Sequence, residues 1–322
     1  MTEQILLRDN LSDTGTVPSR GTCYSSPDLI AHEQVADPQK YFKDTYDKDV
    51  SMALQTGSMT NFIYARVKNI GTEPIQAYIR AYACLSSLFL NPSKWEEWQL
   101  KSVSGNDYVT TGLIQPGEVG VGEEPFIFNA QKNMGYCHTV YAMTTNDRPD
   151  FPTEFKDYDS YMVWVKGCTH VAARNHSRVS SEKSSYEQLD EFSNPSESQS
   201  RVALFLIQMT PGFPVGTKII VNCEPLGIVN KEHTVTDSST KFEFTESGIV
   251  PPSFEGYVKT SVFLPSGGVW PKEGTIAVEA FVNVADDSVA APYAVDLASR
   301  PILAKANIGK LIQIGTCSTE FI

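Results

Sequence analysis

The sequence predicts an all-β protein of two tandem sandwiches with an extended N-terminal arm. Three observations carry that prediction. Asn61-Phe62-Ile63-Tyr64-Ala65-Arg66-Val67-Lys68-Asn69-Ile70-Gly71 alternates through Ile63, Ala65 and Val67 and stops at Asn-x-Gly. A second alternating run follows from Ile75 to Cys84, so the two read as strand, tight turn and strand of one antiparallel sheet. The same grammar repeats along the chain with almost no helical interruption, and the 21 glycines and 19 prolines fall between the apolar runs, as short strands joined by turns require.

Residues 1–50 are polar and turn-rich and read as an arm packed against the first domain. The first domain spans 51–178. After the opening strands, Pro92-Ser93-Lys94-Trp95-Glu96-Glu97-Trp98 reads as a turn or short helical piece whose Trp95 and Trp98 cover one edge of the core. Asp107–Leu113, Glu124–Asn129, Tyr136–Thr144 and Tyr161–Lys166 are strand candidates, with Gln115-Pro116-Gly117 as a turn between two of them. That count of short strands matches the size and spacing of an immunoglobulin-like sandwich. Serine and charge dominate residues 176–200, and 179–200 is expected to be a linker or long loop. Strands resume in 201–322, a second sandwich: the continuous apolar run Val202–Met209, then Lys218–Asn222, Lys241–Thr245, Tyr257–Leu264, Thr275–Val284 and Lys310–Ile314. In Thr275–Val284, residues Ile276, Val278, Ala280, Val282 and Val284 share one face.

At 322 residues two domains are the prior, and 41% hydrophobic with 20% charged residues excludes wholesale disorder. A formal charge of −12 without a dense basic stripe argues against nucleic acid as a partner. No run approaches the roughly 18–20 apolar residues of a membrane-spanning helix. The N-terminal Met-Thr-Glu-Gln-Ile-Leu-Leu-Arg-Asp shows no signal-peptide pattern, which leaves a cytoplasmic location and signal-independent export both open. The six cysteines contain no CxxC pair; Cys84 and Cys137 read as small buried hydrophobes, and an oxidising compartment would admit an inter-sheet bridge between them.

Four segments carry a resemblance. Arg8-Asp9-Asn10-Leu11-Ser12-Asp13-Thr14-Gly15, then Ser26-Pro27-Asp28-Leu29-Ile30, then the Asn61–Gly71 run occur in that order, and Val171-Ala172-Ala173-Arg174-Asn175 follows later. Over residues 5–178 the chain resembles bacterial proteins with CARDB-type, cell-adhesion-related, immunoglobulin-like domains. It departs from them at Ala65 and Ala173. The resemblance implies a β-sandwich that presents surfaces to partners, and it brings no catalytic residues. Residues 201–322 carry no such likeness.

Candidate sites are few. Asp147, Asp150, Glu154, Asp157 and Asp159 lie within thirteen residues and form a candidate calcium loop, although their spacing is not that of an EF-hand and two prolines interrupt them. Asp44, Asp47 and Asp49 form a smaller acidic cluster. The loop aromatics Phe151, Phe155, Tyr158 and Trp270 are a candidate binding tip for a protein or surface glycan. His170 and His176 have no metal-ligand spacing, and Cys168 with His170 lacks an orienting third group. No nucleophile elbow, P-loop or dinucleotide fingerprint is present, and Val119-Gly120-Val121-Gly122 and Ser266-Gly267-Gly268 read as turns. The expectation is a non-enzymatic binding or assembly protein of a bacterial or phage-like surface or export system, without a cofactor. The alternatives are a secreted toxin or effector whose Ser-rich stretch 176–200 and Ser/Thr-bearing strands near 234–247 refold into hairpins that insert into host membranes, and a hydrolase with catalytic residues dispersed over loops.

Overall fold

The computed structural model describes residues 4–55, 60–89, 98–131, 134–147, 155–176, 178–180 and 184–321. The all-β expectation holds. The chain divides into two compact units, Met1–Leu85 with Asn91–Glu154 and Val163–His176, and Ser86–Leu90 with Phe155–Met162 and Ser177–Ile322. The second unit therefore takes two short segments from the first half of the sequence, which contiguous domains of 51–178 and 201–322 did not anticipate. Among the described residues, no helix is long and apolar enough to cross a membrane.

The first unit is built from β1 (Ile5–Leu6), β2 (Leu29–His32), helix α1 (Pro38–Asp44), β3 (Asn61–Asn69), β4 (Tyr78–Leu85), β5 (Trp98–Gln99), β6 (Lys101–Ser102), β7 (Val109–Thr110), β8 (Val119–Val121), β9 (Phe126–Phe128), β10 (Tyr136–Met143) and β11 (Val171–His176). Its backbone is β3. The arm strands β1 and β2 pair along it, as do β8 and β9, and β6 extends the sheet beyond β9. The arm is thus part of the sheet. The other sheet runs β11-β10-β4-β5, with β7 on β4. Ile63, Ala65 and Val67 of the first sheet share one core with Ile79, Ala81, Val140 and Ala142 of the second, as period-two alternation requires.

The expected hairpin between the two opening strands does not form, because β3 and β4 lie in different sheets. Asn69 makes the crossing: its side chain accepts from Gly71 N (2.9 Å) and donates to the carbonyls of Glu73 (2.8 Å) and Ile114 (3.0 Å). The expected strand Tyr161–Lys166 is helix α2 (Tyr158–Gly167). Tyr158, Tyr161, Met162 and Val165 are buried at helical spacing. Their aromatic and β-branched character misled the composition-based reading. Residues of α2 through Met162 group with the second unit and those from Val163 with the first. Of the Trp95–Trp98 piece, residues through Glu97 lie outside the described residues.

The second unit pairs a five-stranded with a four-stranded sheet. Its strands are β12 (Arg178–Ser180), β13 (Ser185–Ser193), β14 (Arg201–Met209), β15 (Lys218–Cys223), β16 (Ile228–Thr234), β17 (Phe242–Val250), β18 (Glu255–Phe263), β19 (Thr275–Val284) and β20 (Lys310–Phe321). The orders are β12-β20-β19-β14-β17 and β13-β18-β15-β16. Phe192 of β13 meets Phe205 of β14 edge-on between the sheets (5.2 Å). On the other face of the larger sheet, Leu204, Leu206 and Phe281 pack beneath Leu303 of helix α3 (Pro301–Ala304) and its neighbours. Both faces of β14 are covered, which explains its unbroken apolar run.

The expected linker is largely strand. In β13, Tyr186, Gln188, Asp190 and Phe192 point inward while Ser185, Glu187 and Leu189 point outward. Two of the four inward residues are polar and hydrogen-bonded: Thr319 donates to Gln188 (2.9 Å), whose amide donates to Asp190. Their polarity hid the alternation from hydropathy. In the folded chain, segment 234–247 holds the end of β16 and the start of β17, which belong to different sheets and are connected by 235–241. Two borrowed segments complete the core: Phe89 is buried against Tyr158 (5.1 Å) and Tyr161 (5.0 Å), and Tyr158 donates to the Ser193 carbonyl (2.6 Å).

One ionic cluster ties the arm to the first unit. Asp28 is fully buried; its carboxylate accepts from Arg8 Nε (3.0 Å) and Nη2 (2.6 Å), from the Arg8 backbone N (2.9 Å), and from Arg66 Nε (2.9 Å). Arg66 gives its remaining donors to the carbonyls of Pro27, Phe42, Thr45 and Lys48 (2.8–3.0 Å). The Tyr46 ring lies 3.5 Å beneath the Arg8 guanidinium. Asp28→Asn leaves two buried guanidiniums short of one negative charge, and urea denaturation should record a loss of about 3–5 kcal/mol. Phe89→Ala should cost the second unit a similar amount, about 3–5 kcal/mol by the same measurement, and a loss under about 1 kcal/mol would contradict its place in that core.

Candidate functional site

The outer face of the first unit's larger sheet is covered along part of its length only. On β3 the outward residues are Phe62, Tyr64, Arg66 and Lys68. Arg66 is sealed by the carbonyls of 42–48, and Tyr64 packs on Phe42 of α1 (4.6 Å) in a small satellite core with Ile30 and Val121. Phe62 packs half-buried at the edge of this core. In the next row the register places His32, Phe62, Ile127 and Lys101 side by side across β2, β3, β9 and β6. Ile127 is 38% exposed and the nearby Met52 is 41% exposed.

A pocket of ≈ 230 Å³ opens beside this row, lined by His32, Glu33, Gln34, Met52, Ala53, Gln55, Thr60, Asn61 and Phe62. Backbone pairing fixes its walls. Met52 N donates to Ala31 O (2.8 Å), and Asn61 holds Gln55 through a reciprocal pair of hydrogen bonds (2.7 and 2.8 Å). Val35 N donates to the Tyr64 hydroxyl (3.1 Å), which sets the path of the Glu33–Gln34 wall. The His32 ring stands edge-on to Tyr41 (5.5 Å) and Phe42 (5.9 Å). Sequence inspection missed this site because its parts lie thirty residues apart and none is a motif.

The residues singled out from sequence fall elsewhere. Of the calcium set, Asp150 and Glu154 lie outside the described residues, and the other three have separate roles. Asp147 accepts from Thr145 (2.6 Å), Asp157 caps α2 by accepting from Ser160 N (2.8 Å), and Asp159 faces Arg201 (3.2 Å). Among the described residues, no three acidic, histidine or cysteine side chains converge as a metal site. In the smaller cluster, Asp49 pairs with Arg174 (3.0 Å) and Asp44 with Lys40. Phe151 lies outside the described residues, Tyr158 is core, Phe155 packs edge-on to Tyr161 (5.3 Å), and Trp270 stacks on Phe321 (4.1 Å).

Cys84 and Cys137 are direct neighbours on β4 and β10 of one sheet, so they are not the inter-sheet pair expected. Ala142 N donates to His170 O on the β11 side, which turns the odd-numbered residues of β10 toward β4 and makes Cys84–Cys137 a hydrogen-bonded pair. That pair type keeps the side chains farther apart than its alternative. Both cysteines are buried. His176 meets His138 rather than His170, with Nδ1 of His138 2.9 Å from Nε2 of His176. Both rings are buried, and His138 also packs edge-on to Phe128 (4.6 Å).

Burial pushes His138 down to about 3, and burial, His138 and Arg174 together hold His176 well below the usual imidazole range. The pair is therefore neutral, one ring donating to the other. Asp9 shifts the other way. Burial raises it to about 7 against the opposing Lys166 charge and the hydrogen bond from Ser19. These groups are interior parts of the fold.

No protein-family model and no curated protein matches the chain. Among solved structures, a red sea bream transglutaminase is similar at 10% identity and a TM-score of 0.20, over 88% of this chain and 33% of that one. The CupB6 tip adhesin from Pseudomonas aeruginosa is similar at 7% identity and a TM-score of 0.19, over 84% of this chain and 93% of that one. The chain spans about a third of the transglutaminase's length. At such TM-scores neither likeness supports a fold or a function.

The buried titratable groups give opposite pH slopes. The unfolded histidines take up protons below about 6.5 while folded His138 does not until about 3 and folded His176 is likewise held well below the usual imidazole range, so their contribution to stability falls as pH drops. Unfolded Asp9 ionises near 3.8 while the folded one keeps its proton to about 7, so its contribution falls as pH rises. Between pH ~4.5 and ~6, Asp9→Asn should steepen the acid loss of stability by about 1.4 kcal/mol per pH unit. His138→Leu with His176→Leu should flatten it by about twice that. Urea midpoints across this range give both slopes, and unchanged slopes would contradict the assignment.

Proposed function

We propose that this chain is a non-enzymatic binding and assembly protein made of two immunoglobulin-like sandwiches, the first of CARDB type, serving a bacterial or phage-like surface or export system. The observation that carries this reading is the exposed Ile127 beside half-buried Phe62 and His32, with the adjoining pocket, held on paired strands at the edge of the cover over Tyr64 and Arg66. A half-exposed apolar row on a rigid sheet is suited to complementary contact with another protein. The ionisable groups with the most perturbed environments, Asp9, His138 and His176, are buried and engaged within the fold, which favours binding over bond chemistry.

The test is affinity capture with the purified chain, scored against the variant Phe62→Asp/Ile127→Asp. The wild type should capture a stoichiometric protein partner that the variant loses by about tenfold or more, since desolvating an unpaired carboxylate there costs more than about 1.4 kcal/mol. Equal capture by both proteins would remove this face from the binding surface.

A further inference from the structure

We propose that the pocket beside His32 receives the guanidinium end of an arginine side chain presented by a protein partner. The partner as source rests on the binding reading above; the guanidinium chemistry rests on the pocket alone.

Size excludes most occupants first. At ≈ 230 Å³ the pocket is smaller than the roughly 300–1,000 Å³ of sites that enclose drug-sized ligands, and it suits a single side chain. Charge narrows the choice. Among the described lining residues Glu33 is the one carboxylate and no lysine or arginine accompanies it, so an anion would find no countercharge among them. The amide oxygens of Gln34 and Gln55 and the hydroxyl of Thr60 add acceptors. A purely apolar occupant would cover these groups without satisfying them.

Shape separates arginine from lysine. The pocket combines acceptors at its rim with flat or soft apolar groups, the His32 and Phe62 rings and the Met52 thioether. A guanidinium is planar, carries five donors and stacks on rings, whereas an ammonium is a compact and strongly hydrated point charge. The Asn61 side chain is committed to Gln55, and His32 Nδ1 lies 3.2 Å from the Glu33 carbonyl, so both walls are preset. The chain's net charge of −12 draws cations toward it at longer range.

The experiment titrates the isotope-labelled full chain with blocked amino acids and follows amide resonances by NMR. N-acetyl-arginine-N-methylamide should give saturable shifts confined to residues 32–34, 52–55 and 60–62. Its lysine counterpart should bind about fivefold more weakly, and the glutamate and norleucine counterparts should give none. Glu33→Gln, an exposed position, should weaken the arginine probe by about fivefold through loss of one charge-assisted hydrogen bond. No shifts with the arginine probe, equal shifts with norleucine, or an unaffected Glu33→Gln protein would overturn the assignment. Binding of agmatine without binding of the blocked arginine would overturn the partner side chain in favour of a free amine. If the arginine probe binds but no protein is captured, the binding reading fails and the pocket chemistry stands; capture without probe binding gives the reverse.

Discussion

One carboxylate shared by two arginines organises the first unit. Asp28 lies at the head of β2, Arg8 just after β1, and Arg66 on the outer face of β3, so a single buried ionic cluster joins three stretches of chain. Burying three ionised groups is costly, and the cost is met only because the carboxylate accepts four hydrogen bonds and Arg66 spends its other donors on carbonyls. Three of these carbonyls, those of Phe42, Thr45 and Lys48, lie in and after α1. The cluster therefore fixes both the arm and the cover over the sheet.

The proposed binding face lies where that cover stops. Arg66 and Tyr64 have their outer sides sealed by the segment the cluster anchors; Phe62, two residues along the same strand, packs half-buried at the edge of that cover, and its neighbour Ile127 is exposed. The same constraint that builds the fold leaves one end of the sheet open and places a pocket there. A site of this kind has no catalytic signature, since its features are the exposure and register of ordinary side chains.

Much of this was legible in the sequence, and the failures have physical causes. The alternation of Ile63, Ala65 and Val67, and that of Ile276 through Val284, marked true core faces, because period two is a direct imprint of a one-sided burial. Arg8, Asp28 and Arg66 stood out as parts of a resemblance, and they converge in one cluster; spacing alone could not have shown that they touch. Strand pairing was misjudged at Asn69-Ile70-Gly71, where a local turn changes sheets, because adjacency in sequence does not decide adjacency in a sheet. β13 was hidden by Gln188 and Asp190, polar residues turned inward, and α2 by a composition that suits strands. The acidic run 147–159 looked like a ligand set, yet its described members serve a turn, a helix cap and an ion pair. The pocket was invisible for a simpler reason: it is assembled from β2, the segment after α1 and β3, none of them informative alone.

The central claim is that the open end of the first unit's sheet is the contact surface. Hydrogen–deuterium exchange of the full chain, alone and with its captured partner bound, addresses it most directly. Protection on binding is expected at 31–35, 51–55, 60–63 and 126–128, with little change at the already sealed 64–67. Protection confined to the second unit, with these segments unaltered, would contradict the account.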